Sequence, residues 1–428
     1  MLGIFVGLLF LFFILGIPVA FAIGYTCLMV IIAGSGLKDL SFDLFALQMM
    51  EGINSFPLIS ASFFVLAANI MNTGMITDRI FNFANALVGH LRGGLGHVNV
   101  VGSMIFAGMS GSAVADAGGL GNMEIKAMVD EGYSLEFSAA VTAASATIGP
   151  IIPPSFPMVI YGAMAGESVA KLLIAGFFPG ILMGLMMMAL LVAMAPWYGW
   201  KAKRRASWRE MRGALKRGTL PLLAPAILIG GIVFGVFTPT EAAAIAVCYA
   251  LLMGFIYRTL TWRSLRQVLR DSMLDTSIIL LIVGASSIYG WVIARYQITG
   301  ILVDWMGSMV STQMGFMVII NIFLLVVGCF IDATPALFIL TPVLMPMVKQ
   351  FGIDPIHFGV IMVFNLMIGL VTPPVGSVLY TINRVTGLSL ERLSVAMLPW
   401  YVPLAITLAV IVLFPSLSVW LPGYMLGR

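Results

Sequence analysis

Residues Ser103 to Pro157 read SMIFAGMSGSAVADAGGLGNMEIKAMVDEGYSLEFSAAVTAASATIGPIIPPSFP. An apolar segment stops at Ser110-Gly111-Ser112. A second short segment follows, and a third breaks at Ile148-Gly149-Pro150 and again at Pro153-Pro154. Helix breakers leave backbone groups without intrahelical partners. In a bilayer such backbone must be buried in protein or line a wet cavity. Broken helices that occur in pairs near the midplane are the sequence mark of a transporter's binding site.

The stretch has a partner. Ile148-Gly149 precedes Pro153-Pro154, and Ile368-Gly369 precedes Pro373-Pro374, at an offset of 369 − 149 = 220. The same offset carries Gly132 to Gly352 and Pro179 to Pro399. The tip Ser110-Gly111-Ser112 falls, with a shift of two, on Asp332-Ala333-Thr334. At 221, Pro18 meets Pro239, and the set Ile80, Phe81, Ala84, Val88 meets Ile301, Leu302, Trp305, Met309. Matches at nearly one offset from residue 18 to residue 399 predict an internal two-fold repeat.

Composition sets the class. Of 428 residues, 61% are hydrophobic and 9% charged. A soluble domain carries about 25% charged residues, so the chain is predicted to be an all-α polytopic membrane protein. The net charge of +4 says little about partners, because the basic residues sit in a few loops. Cys27, Cys248 and Cys329 lie in separate apolar segments without CxxC spacing and read as buried small hydrophobes. His90, His97 and His357 show no metal-ligand spacing, and no Walker motif occurs, so nothing points to an enzyme. The N-terminus is apolar from residue 2, with no basic region before Lys38, unlike a signal peptide.

Two short helices are expected before Ala33, separated by Gly16-Ile17-Pro18, then an interfacial helix over 41–53 and a span over 55–75. Asp78 to His90 is amphipathic. The pair 94–130, with arms of about 24 Å at 1.5 Å per residue, reads as a re-entrant hairpin and 134–164 as a broken span. Lys171 to Ala195 spans. Lys201, Lys203, Arg204, Arg205, Arg209, Arg212, Lys216 and Arg217 then face one Glu210. That loop is cytoplasmic by the positive-inside rule and is no sign of nucleic-acid binding. Thr238-Pro239-Thr240-Glu241 fits a capping box, which makes Glu241 a cap rather than a functional acid. Arg258, Arg263, Arg266 and Arg270 form the next cytoplasmic loop. The second half repeats the first: a span over 273–294, a hairpin over 314–350 with its tip at Asp332-Ala333-Thr334-Pro335, a broken span over 354–381 and a last span over 398–421. Two halves are thus expected, 1–217 and 218–428. Counting from the basic loop gives five crossings each. Five is odd, so the halves are inverted, both termini lie outside the cytoplasm, and the hairpins enter from opposite sides.

Freed carbonyls and hydroxyls at such breaks offer uncharged oxygens suited to Na⁺. Ser103, Ser110, Ser112, Ser145, Thr147 and the Gly149 carbonyl are one candidate set. Gly328, Asp332, Thr334, Gly369 and Thr372 are its mate. The competing reading is that these Ser and Thr only cap helix ends, at about 1 kcal/mol each. Second-arm helix N-termini near Ala113 and Pro335 attract carboxylates. Ser112, Ala113, Pro154, Thr334 and Pro374 are therefore the candidates for a carboxylate substrate. Asp116 and Asp332 are intramembrane acids and candidates by default, although Asp332 could equally cap the tip and Asp116 face water.

With these residues in view the chain resembles the large membrane subunit of TRAP transporters, the DctM type, nearly end to end. The resemblance rests on Gly16-Ile-Pro-Val-Ala-Phe-Ala-Ile-Gly24, Gly108-Met-Ser-Gly-Ser-Ala-Val-Ala-Asp116, Ile148-Gly-Pro-Ile-Ile-Pro-Pro-Ser155 and Thr372-Pro-Pro-Val-Gly376. It implies Na⁺-coupled uptake of carboxylate solutes, such as sialic acids or C4-dicarboxylates, across the bacterial inner membrane. It further implies a separate four-span DctQ-type subunit, a periplasmic substrate-binding protein and an elevator mechanism, with the hairpins and broken helices moving against the other spans. The text resembles the sialic-acid members most, with no single residue deciding it. Two rival readings are a stand-alone Na⁺/carboxylate symporter and a subunit of a redox or proton-pumping complex. Neighbouring genes for a four-span protein and a secreted binding protein would separate the first. The second would require a relay of intramembrane Lys, Glu or His, which the spans lack.

Overall fold

The computed structural model describes residues 2–35, 42–72, 75–310 and 312–427. Among these residues all regular structure is helical. Ser41, the first residue of the expected interfacial helix, and Arg428 lie outside the described residues.

The chain begins with α1 (Leu2–Ile14), α2 (Val19–Ser35), α3 (Phe42–Ile53), α4 (Phe56–Met71) and α5 (Met75–Val88). A helical pair follows, α6 (Gly94–Ser110) and α7 (Ala113–Asp130), then α8 (Leu135–Ala146) and α9 (Phe156–Ala165), and then α10 (Val169–Ala175) and α11 (Phe177–Tyr198). The second half runs α12 (Trp208–Val233), α13 (Pro239–Ile256), α14 (Trp262–Arg295) and α15 (Ile298–Met309). Next come the pair α16 (Gln313–Phe330) and α17 (Ala333–Gln350), then α18 (Pro355–Leu370) and α19 (Ser377–Thr386). It closes with α20 (Leu390–Met397), α21 (Tyr401–Leu413) and α22 (Ser416–Leu426).

The elements recur at the offsets read from the sequence. α7 and α17 each have 18 residues and start 220 apart, and α9 and α19 each have 10 and start 221 apart. The Pro153-Pro154 and Pro373-Pro374 bonds are both cis. One alignment needs correction. The N-caps of α7 and α17 are Ser112 and Asp332, so the tips match at 220 without the shift of two. Thr334 and Pro335 belong to the first turn of α17 rather than to the tip.

Three helix boundaries also differ from expectation. Ser207 and Glu210 form a reciprocal capping box, so helix starts at Trp208. Arg209, Arg212, Lys216 and Arg217 then lie on α12, which runs unbroken through residues 217 and 218. A second box, Thr261 with Ser264, starts α14 ahead of its arginines and makes one helix of 34 residues. Here the hydrogen bonds that satisfy the orphan amides of a first turn outweigh the polar composition that suggested loops. The last segment divides at Phe414-Pro415 between α21 and α22, since proline cannot donate to a continuing helix. The expected box at Thr238 is present: Thr238 N donates to Glu241 Oε2 at 2.8 Å and Glu241 N to Thr238 Oγ1 at 3.3 Å. Thr238→Ala is therefore expected to lower thermal stability in detergent by about 1 kcal/mol and leave transport unchanged. A transport defect at normal stability would give this corner a role beyond capping.

Six helices or helix runs among the described residues are long and apolar enough to cross a membrane: 169–198, 208–233, 239–256, 262–295, 313–330 and 390–413. Counting five crossings per half draws also on shorter apolar helices, among them α9, α18 and residues 19–34. Packing sorts the helices into two groups. α4 lies on α13, α14 on α2 and α3, and α12 on α5. In the other group α7 packs on α8, α16 and α17 on α18, and α17 on α9. The groups meet where α5 lies on α6, α4 on α9 and α14 on α17.

Candidate functional site

The first tip is built by Gly111, which ends α6 with φ 59°, a conformation costly for any residue with a Cβ. Its own side has no room either, since a Cβ there would sit 2.5 Å from the Pro154 carbonyl oxygen. The tip therefore lies directly on the broken loop between α8 and α9. Residues 147–155 of that loop are all buried. Ser155 closes it by donating to the Pro150 carbonyl while accepting from Met158 N.

The candidate hydroxyls of the first half fall into two groups. In one, the Ser145 hydroxyl on α8 donates to Asn99 Oδ1 on α6 at 2.6 Å, and Ser103 Oγ donates to Ser145 Oγ at 3.0 Å. Asn99 Nδ2 donates to Thr142 Oγ1 at 2.6 Å. All four side chains are buried. In the other, Ser110 Oγ donates to Asp116 Oδ1, while Asp116 Oδ2 finds no partner among the described residues. That free oxygen faces Gly149, where a Cβ would stand 2.5 Å from it. Ser112 accepts from Ala115 N and so caps α7. The Thr147 hydroxyl bonds back to the Ala144 carbonyl at 2.6 Å, the local behaviour expected of Thr at a helix end. Ala113 and Pro154 are buried beneath the tip.

The second half is more open. Gly328 and Gly369 meet backbone to backbone where α16 crosses α18; a Cβ on Gly369 would lie 2.4 Å from the Gly328 carbonyl carbon and oxygen. Cys329 O accepts from Val375 N at 3.1 Å, which ties the end of α16 to the loop. The Thr372 hydroxyl donates to Ile368 O at 2.7 Å, and Tyr401 Oη holds Val371 O at 2.7 Å. Asp332 makes no side-chain cap bond. Asp332 and Pro373, Pro374 and Val375 are exposed, and Thr334 is half-buried.

Two polar features escaped the sequence reading. Asn365 Nδ2 on α18 donates to Asn321 Oδ1 on α16 at 2.7 Å, and both side chains are buried. Asn365 stands 220 residues after Ser145 and Asn321 stands 222 after Asn99, so a buried polar bridge joins the corresponding helices of each half, α6 to α8 and α16 to α18. That offset was the available signal. The second is Glu124 on α7, 1% exposed, with both carboxylate oxygens unpartnered among the described residues. Gly102 lies so close that a Cβ there would be 2.8 Å from Glu124 Oε1. At 220 residues on, Asp116 and Glu124 correspond to Ala336 and Leu344. Among the described residues the two buried acids thus belong to the first half alone, and a carboxylate at membrane depth is a functional candidate by default.

The profile described as "Tripartite ATP-independent periplasmic transporter, DctM component" matches residues 6–417. The chain belongs to the DctM family. This DctM-family chain is 42% identical over 413 residues to the sialic acid TRAP transporter large permease SiaM of Vibrio cholerae, covering 96% of each. It is 37% identical over 381 residues, 89% of each, to the C4-dicarboxylate TRAP transporter large permease DctM of Pseudomonas aeruginosa. Among solved structures it is similar to the YdaH transporter of Alcanivorax borkumensis, with TM-score 0.63 over 93% of this chain and 91% of that one. At 14% identity that likeness is one of fold. A DctM-family chain is a multi-pass transport protein of a tripartite system, not an enzyme.

Proposed function

We propose that this chain is the large membrane subunit of a Na⁺-coupled transporter of the bacterial inner membrane that takes up a carboxylate solute of the sialic acid class. It works with a four-span subunit of the DctQ type and a periplasmic substrate-binding protein. The observation that carries the reading is the pair of helix tips, each seated beside its own cis Pro-Pro loop and recurring at 220 residues. The named substrate of the Vibrio cholerae relative favours sialic acids over the dicarboxylates of the more distant one. The halves 1–217 and 218–428 are inverted repeats, and the hairpins over 94–130 and 314–350 enter from opposite sides. The cations sit among the oxygens of Asn99, Ser103, Ser110, Asp116, Ser145, Thr147 and Gly149, and of Gly328, Asp332, Thr334, Gly369 and Thr372. The carboxylate lies between the tips near Ser112, Ala113, Pro154, Thr334 and Pro374. The hairpins with α8, α9, α18 and α19 move as an elevator against α1 to α5 and α12 to α15.

The test is uptake of labelled sialic acid into proteoliposomes that hold this chain and the small subunit, with and without the binding protein and a Na⁺ gradient. Uptake is expected only with all components. Uptake driven by a proton gradient alone would overturn the ion assignment and make Asp116 and Asp332 the leading carriers. Uptake without the binding protein would make the chain a stand-alone symporter.

The orientation has its own check. The basic segment 201–217 is placed in the cytoplasm, and five crossings per half put both termini in the periplasm. A reporter fused after Arg428 should be active only in a periplasmic format. Activity in a cytoplasmic format would remove the inverted repeat.

A further inference from the structure

α5, the linker over residues 201–207 and the first turns of α12 enclose a cleft of about 460 Å³. Arg79, Lys203, Arg204, Arg205 and Arg217 line it against a single carboxylate, Glu210, with Asn85 and His90 completing its polar wall. Two of the five cations are satisfied. Lys203 pairs with Glu131 and Arg204 with Glu210 at 2.7 Å. A third, Arg79, is fixed in place: its Nη1 donates to the Arg217 carbonyl at 2.9 Å, and its guanidinium lies 3.9 Å from the Tyr257 ring centroid. Arg205 and Arg217 have no carboxylate within ion-pair distance among the described residues. A concave site with this excess of positive charge is built for an anion.

The setting identifies the anion. The cleft opens at the polar start of α12, a helix that as a whole is long and apolar enough to cross the bilayer. The positive-inside rule puts this end at the cytoplasmic headgroup layer. Leu87 and Leu215, which follow the lining residues Ala86 and Ala214 in sequence, are 43% and 46% exposed and give the same two helices apolar surface beside the cleft-facing side. Basic pockets between membrane helices on the cytoplasmic side are sites for phospholipid headgroups. A free phosphate would use the arginines but not the apolar shoulder.

We propose that this cleft binds the phosphate headgroup of an anionic membrane phospholipid, with Arg205 and Arg217 as its ligands and Arg79 tying α5 to the backbone of α12 at Arg217. The headgroup bridges α5 and α12. Because α5 also packs on α6, the lipid braces the support of the first hairpin.

The full chain is purified in detergent, stripped of lipid, and titrated separately with phosphatidylglycerol, phosphatidylethanolamine and inorganic phosphate. Bound lipid is read by native mass spectrometry and stability by thermal melting. Phosphatidylglycerol is expected to bind and raise the melting temperature, phosphatidylethanolamine to do neither, and added salt to weaken the effect. The variant Arg205→Gln/Arg217→Gln should melt like the parent without lipid and lose at least about tenfold in phosphatidylglycerol affinity, since each lost charge-assisted contact weakens binding severalfold. Should that variant fail to fold, Ala214→Trp fills the cleft with its charges intact and is expected to lose the lipid equally. Equal binding of the two phospholipids, or undiminished phosphatidylglycerol binding in a folded variant, would overturn the proposal. An equal rise in melting temperature with inorganic phosphate alone would also overturn it, in favour of a soluble anion.

Discussion

Gly369→Ala is expected to destabilise the protein by about 3 kcal/mol or more, the upper end of what overpacking costs. The added Cβ would stand 2.4 to 2.5 Å from three backbone atoms of Gly328. Backbone cannot swing aside as a side-chain tip can, so α16 and α18 would have to part. Close approach through small residues is how membrane helices associate, and this crossing also holds the Asn321–Asn365 bridge. The check is melting temperature and yield in detergent, with Gly230→Ala as the reference. A Cβ on Gly230 meets nothing within 4 Å, and alanine's higher helix propensity should leave that variant neutral or more stable by up to ~1 kcal/mol. If both variants melted alike, the α16–α18 contact would not be the constraint described.

The second large effect concerns the ions. Ser145→Ala and Thr372→Ala should each raise the Na⁺ concentration for half-maximal uptake by roughly 5- to 150-fold, the equivalent of one ligand worth 1–3 kcal/mol in a desolvated site. Their stabilities should differ. Ser145 is the acceptor for Ser103 and the donor to Asn99. Removing it strands buried polar atoms, so about 1–3 kcal/mol of stability should go as well. The Thr372 hydroxyl bonds back to Ile368 O, a carbonyl that also receives Val371 N, and it lies beside the Tyr401 hydroxyl, so its loss strands no carbonyl and should cost the fold less. Uptake against Na⁺ concentration, with melting temperature alongside, separates the two. If half-saturation stayed constant in both variants, these hydroxyls would be caps and the cations would lie on other oxygens of the broken regions.

How far the site was legible depends on how local its causes are. The helical membrane class follows from composition, and the paired breaks follow from Gly149, Gly369 and the two Pro-Pro pairs. Chain geometry at a proline or a glycine is decided by neighbours in sequence, and so is a capping box such as Thr238 with Glu241. The same local rule, applied at Ser207 and Thr261, would have revealed that α12 and α14 begin before their arginines; charge density hid it. The side-chain partners are another matter. Ser145 meets Asn99 across 46 residues, and Asn365 meets Asn321 across 44, because helices that are not neighbours in the chain cross there. Nothing in the spacing separates Ser103 and Ser145 from Ser110 and Asp116, or Ser112 the cap from its neighbours. Those assignments depend on which helix faces pack, which long-range burial decides. Sequence alone determined that the chain is a helical membrane protein with breakers at points 220 residues apart. Only the tertiary structure decided that the first broken loop is buried against the tip at Gly111 while Pro373, Pro374 and Val375 of the second are exposed, because what covers a loop is set by helices distant in sequence.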